Sequence, residues 1–164
     1  MSNRDDLPPG PQWVPISASP GNAFQEMVLD AWGRLEGDCP VIGFRVHQKQ
    51  CNPRSICHGG MLMTFADFFL PTIARLLHED DDSFTPTVSL TTMFLAPARL
   101  GSWVEGRANV LRRSRNLLFV EGLATSDGEP VMQVSGIFKR GDPDGRTAHS
   151  ALLLDRLRMA SDAR

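Results

Sequence analysis

Little net charge, few cysteines, no secretory leader pattern and no unbroken apolar run long enough to span a membrane mark this sequence, and each absence excludes something. A formal net charge of -2 gives no general attraction to nucleic acid or to an anionic membrane, so an anionic ligand must be met by a local basic patch. Three cysteines, Cys39, Cys51 and Cys57, are odd in number and follow no disulfide framework, which suits a reducing compartment. Cys51, Cys57 and His58 lack the paired C-x-x-C spacing of a strong zinc signal, so neither a metal nor another cofactor is expected. The start, MSNRDDLPPGPQW, has neither the basic n-region nor the apolar h-region of a signal peptide, and Asp67 interrupts the longest apolar run. The expectation is a soluble cytoplasmic protein with no nucleic-acid and no membrane partner.

What is present fits one domain: 164 residues allow a sizeable core but not two ordinary domains. Residues 1–21, with Pro8, Pro9, Pro11, Pro15 and Pro20, read as an irregular arm that packs only where Trp13 and Ile16 find a surface. Phe24, Met27, Val28, Ala31, Trp32 and Leu35 recur at helical spacing and predict an amphipathic helix ending near Gly37. Val41 to Gln50 alternates as a half-buried strand, with Ile42, Phe44 and Val46 on one face. The tail, 141–164, reads as a loop followed by a short helix around Leu152, Leu153 and Leu157, free to dock or fray.

Between these lies the organising stretch, NPRSICHGGMLMTFADFFLPTIARLL. Its Met, Leu, Phe and Ala without period-two alternation predict a helix buried on most sides, and Pro71 predicts a kink or an early end. The acidic HEDDD at 78–82 reads as a solvated loop. Four strands follow, over 85–96, 102–112, 117–125 and 130–139, the last three joined as antiparallel hairpins through Ser114-Arg115-Asn116 and Asp127-Gly128. Gly106, Gly122 and Gly136 all fall on the apolar parity of their strands, where small residues let a sheet curl closely around a helix. The fold class is therefore α+β, an antiparallel sheet wrapped around a long central helix over residues 22–140.

The order strand, Asn52 loop, His58-Gly59-Gly60, buried helix with Asp67, then antiparallel strands resembles the hotdog-fold thioesterases, specifically the PaaI-like acyl-CoA thioesterases of phenylacetate breakdown. FLAPARLG, 94–101, is similar to that family's strand-end pattern. The resemblance implies hydrolysis of an acyl-CoA thioester to free acid and CoA, with Asp67 as nucleophile or general base and Asn52 and His58 near the acyl group or water. It also implies a homodimer, or a dimer of dimers, whose active site is shared between subunits.

Physical chemistry weighs each residue separately. Gly59 and Gly60 open a helix, where N–H groups lack intrahelical partners and could hold an oxyanion; a tight turn needs the same glycines. Asp67 lies nine positions after His58, roughly 13 Å along the axis and on the opposite face, so one subunit cannot bring both ends to one substrate, whereas an antiparallel two-fold dimer can. A lone acid in an apolar helix is costly and favours function; the alternative is capping by Thr64 or Thr87. For His58 a turn histidine bonding backbone is the commoner use, and Asn52 before Pro53 is a natural turn residue. Thr87 could bond water or Asp67, or be an ordinary inward strand threonine. Arg99, and Arg112, Arg113 and Arg115 at a hairpin turn, are the cations available for CoA phosphates, though solvated turn arginines are commonplace. Competing readings are a non-catalytic acyl-CoA binding module and a hydratase, the latter lacking a second acid or a helix histidine.

Overall fold

A computed structural model describes residues 7–16, 23–78, 85–141 and 148–163. Seven antiparallel strands form one sheet: β1 (Val14–Pro15), β2 (Trp32–Glu36), β3 (Cys39–Arg45), β4 (Thr87–Phe94), β5 (Trp103–Arg113), β6 (Leu117–Ser126) and β7 (Glu129–Lys139). Their spatial order is β1-β2-β3-β5-β6-β7-β4. Helix α2 (Gly59–Leu76) lies in the curve of this sheet, α1 (Ala23–Val28) is a short turn before β2, and α3 (Ala148–Asp162) packs on β2 and α2. The expected α+β arrangement, a sheet around a long helix, is present.

The wrap is as tight as the mid-strand glycines predict. A Cβ on Gly106 would stand 2.7 Å from the Phe69 ring, and one on Gly122 would stand 2.7 Å from Leu70. Phe65, Phe69, Leu70 and Ile73 are in turn buried against Phe44, Val120, Met132 and Phe138. The β6–β7 turn forms on Asp127 and Gly128 at φ 48° and 91°, the positive pair that a two-residue hairpin needs.

Four expectations are corrected. The amphipathic helix over 22–35 stops at Val28, and Trp32 to Glu36 is a strand paired with β3 around a Gly37-Asp38 turn. Ala31, Gly33 and Leu35 are buried at a period of two that the helical count overlooked. Strand β3 ends at Arg45, with a 3-10 turn over Gln48–Gln50, and is buried on both faces because Trp13 and Trp103 cover Val41 from behind. The arm supplies Trp13 and the β1 edge pairing, so it is not irregular throughout. Pro71 neither ends nor shortens α2: it leaves the Asp67 carbonyl without its helix N–H donor, but burial of Phe69, Leu70, Ile73, Ala74 and Leu76 around it outweighs one lost bond. The acidic loop beyond His78 and most of the 141–147 loop lie outside the described residues. The tail helix docks on its own chain, with Leu154 and Leu157 buried against Leu35 and Leu76.

Candidate active site

The loop entering α2 is built on Asn52. Its Oδ1 accepts the N–H groups of Arg54 at 2.9 Å and Ile56 at 3.3 Å, and its backbone N–H donates to Ile56 O at 2.9 Å. This turn, with Ser55 at φ 56°, delivers the chain to His58. His58 is the N-cap: its Nδ1 accepts the Gly60 N–H at 3.1 Å. The cap satisfies one of the helix's orphan donors. It also engages Gly60, which corrects the expectation that both glycines could face an oxyanion. The N–H groups of Met61 and Leu62 go to the His58 carbonyl, whereas that of Gly59 has no partner among the described residues.

The Gly59 end has a neighbour that period and motif did not reveal. Phe94, at the end of β4, lies with Cζ 3.2 Å from where a Gly59 Cβ would be. Phe94 pairs with Met132 on the helix-facing side of the sheet yet is 49% exposed. Its FLAPARLG context was noticed; its contact depends on tertiary packing alone.

Asp67 is not buried, contrary to the reading of a helix covered on most sides. Gly60, Met63 and Asp67 are exposed and Thr64 partly so, which makes an open stripe at i, i+3, i+4, i+7 along an otherwise buried helix. The cost of burying an acid therefore says nothing for function here. What marks Asp67 is its partner: Thr87 Oγ1 donates to Asp67 Oδ1 at 2.5 Å. Thr64 instead donates to the Gly60 carbonyl at 2.9 Å. Simple alternation would turn Thr87 outward with Ser89 and Thr91. A bulge at Val88 shifts the register, pairing Thr87 with the buried Phe138 and turning it to the helix side with Leu90.

Site residues thus occupy two ends of the chain. Gly59, Phe94 and Arg99 belong to one end; Arg99 bridges to Ile56, and its carbonyl accepts Ser102 Oγ at 2.7 Å. Asp67 and Thr87 belong to the other, where the register runs Thr87–Phe138–Leu118–Arg113 across four strands, with Arg115 in the turn beyond. Arg99 and Arg113 sit at opposite ends of β5, about 30 Å apart by strand rise, so one chain does not gather the expected arginines around one ligand. No cluster of three or more His, Cys, Asp or Glu side chains suited to a metal occurs among the described residues. No described helix is long and apolar enough to cross a membrane.

Comparison with known proteins adds three findings. The sequence profile of the Thioesterase superfamily matches residues 55–133, from the Asn52 loop through α2 into β7. A Pseudomonas aeruginosa protein named as a candidate esterase is 31% identical over 98 residues, 60% of this chain and 72% of that protein. Among solved structures, a candidate thioesterase related to phenylacetic acid degradation from Ralstonia eutropha superposes with a TM-score of 0.59 at 26% identity, covering 74% of this chain and 92% of that one. A Streptococcus pneumoniae thioesterase protein solved with coenzyme A gives a TM-score of 0.60 at 16% identity over 70% and 89% of the two chains.

Proposed function

Because this chain belongs to the thioesterase superfamily and is a hotdog-fold thioester hydrolase, we propose that its substrate is an acyl-CoA, hydrolysed to free acid and CoA in a site shared between two subunits. The observation that carries the shared site is the placement of Gly59 and Phe94 at one end of edge strand β4 and of Asp67 and Thr87 at the other. Antiparallel pairing of β4 with a second β4 sets the Gly59 end of each chain beside the Asp67 end of its partner. The strand is suited to this: it pairs only with β7, and Val88, Met93 and Phe94 on it are 60%, 61% and 49% exposed. Coenzyme A in the Streptococcus pneumoniae fold neighbour supports the choice of thiol.

In this reading the thioester carbonyl accepts the Gly59 N–H at the positive end of α2, which favours the tetrahedral oxyanion by a few kcal/mol. Asp67, held in one orientation by Thr87, supplies the attacking oxygen, either as base on water or directly as nucleophile. Asn52 and His58 shape the loop and cap that present Gly59. Arg99 of one chain and Arg113 and Arg115 of the other are the cations assigned to CoA phosphates; their replacement by Ala raises KM more than it lowers kcat.

The test is thiol release from a panel of aryl, short-chain and medium-chain acyl-CoAs, with wild type and Asp67→Asn side by side. Wild type releases thiol and the variant loses about 100-fold or more of kcat, while its oligomeric state by light scattering is unchanged. Saturable binding with no release from any member would replace hydrolysis by ligand binding.

A further inference from the structure

Two of the three cysteines are neighbours. Cys51 and Cys57 form an antiparallel bridge that closes the Asn52 loop, flanked by His58 N–H to Gln50 O at 2.8 Å and Asn52 N–H to Ile56 O at 2.9 Å. Bonds on either side make this a non-hydrogen-bonded pair, the closer of the two antiparallel kinds, with Cα atoms about 4.5 Å apart and both side chains on one face. Disulfides span Cα separations of roughly 4.4–6.8 Å, so the ladder already holds the two residues within bridging distance. Both thiols are free, Cys51 half-buried and Cys57 buried. Their sulfurs make only weak contacts, Cys51 Sγ to His47 O at 3.4 Å and Cys57 Sγ to His58 O at 3.9 Å, which a χ1 rotation gives up at little cost.

We propose that Cys51 and Cys57 are a redox-active dithiol that closes to a disulfide under a low-molecular-weight disulfide oxidant, stapling the loop that carries Asn52 and abuts His58. The half-buried Cys51 loses its proton and attacks the oxidant's sulfur, expelling one small thiolate and leaving a mixed disulfide. Cys57 then loses its proton and attacks the Cys51 sulfur, expelling the second. Two protein thiols become one disulfide, and the two electrons and two protons reduce the oxidant to two small thiols. Burial holds both thiols above their ordinary range. High-pKa thiols are poor leaving groups, so ring closure is slow and the finished disulfide resists reduction. The exposed Cys39, on the β2–β3 hairpin, has no such partner among the described cysteines.

The experiment uses the full chain carrying Cys39→Ser, so that only the pair remains, incubated with oxidised glutathione. Thiol titration falls by two per chain, intact mass falls by two hydrogens with no glutathione retained, digestion yields a peptide joining Cys51 to Cys57, and dithiothreitol restores both thiols. The same chain with Cys57→Ala, which keeps a small apolar group in the buried position, retains glutathione on Cys51. Glutathione retained on Cys51 while Cys57 is present, or both thiols still titrating after prolonged incubation, overturns the proposal. Because no step depends on thioester hydrolysis, the proposal stands or falls independently of the substrate assay.

Discussion

At the scale of single residues, His58 shows how a residue in a catalytic-looking motif can be occupied by structure. Its Nδ1 is committed to the Gly60 N–H, so its first contribution is to the start of α2. Replacing an N-cap by Ala costs about 1 kcal/mol, and Asn is among the best substitutes. We expect His58→Ala to lower the denaturant midpoint by that amount and His58→Asn to restore it, with kcat following stability. A variant that is as stable as wild type yet inactive would give the imidazole a chemical role instead. Cys57 offers a second prediction. Burial, with Cys51 beside it, pushes its thiol from 9.0 up to about 12. The folded chain keeps a proton that the unfolded chain releases near pH 9.0, so this contribution to stability is intact below that pH and is lost as pH rises towards 12. Under reductant, midpoints measured between about pH 8 and about pH 11 should fall more steeply for wild type than for Cys57→Ala. Equal slopes would contradict that environment.

At the scale of elements, periodicity made some segments legible and hid others. The strands β5, β6 and β7 could be read from sequence because alternating apolar residues, small inward residues and an Asp127-Gly128 turn all agree. The strand β2 could not, because Phe24 to Leu35 carries a helical count and a period-two count at once, and only pairing with β3 decides between them. Thr87 illustrates a finer limit. Its identity was readable, but its direction depends on a bulge at Val88, and an inserted residue that changes side-chain parity leaves no mark in the composition of a strand. The exposed stripe on α2 was hidden for a related reason: Met63 is apolar yet faces outward, so hydrophobicity overstated the burial around Asp67. The close wrap gives the test at this scale. A Cβ on Gly106 meets several Phe69 ring atoms at 2.7–2.9 Å, and that ring is itself fully buried. Gly106→Ala should therefore cost about 1–3 kcal/mol in the urea midpoint through overpacking. A neutral result would mean that α2 can move away from the sheet.

At the scale of the whole molecule, the two ends of β4 pose a question that one chain cannot answer. Asp67 lies roughly 12 Å along the helix from Gly59, and the residues accompanying each lie at opposite ends of an eight-residue strand with a free edge. If each site takes Gly59 from one subunit and Asp67 from the other, two different inactive chains can rescue one another. A dimer mixing Asp67→Asn with Gly59→Val contains one site with both lesions and one with neither. Random reassortment makes half of all dimers mixed, and half of their sites are intact, so a denatured and refolded equimolar mixture should recover about a quarter of wild-type turnover. Each variant refolded alone should remain inactive. A site contained within one subunit predicts no recovery, because every subunit in the mixture then carries a lesion in its own site. The same mixture, combined without exchange of subunits, supplies the control: activity that needs refolding is activity made at the interface.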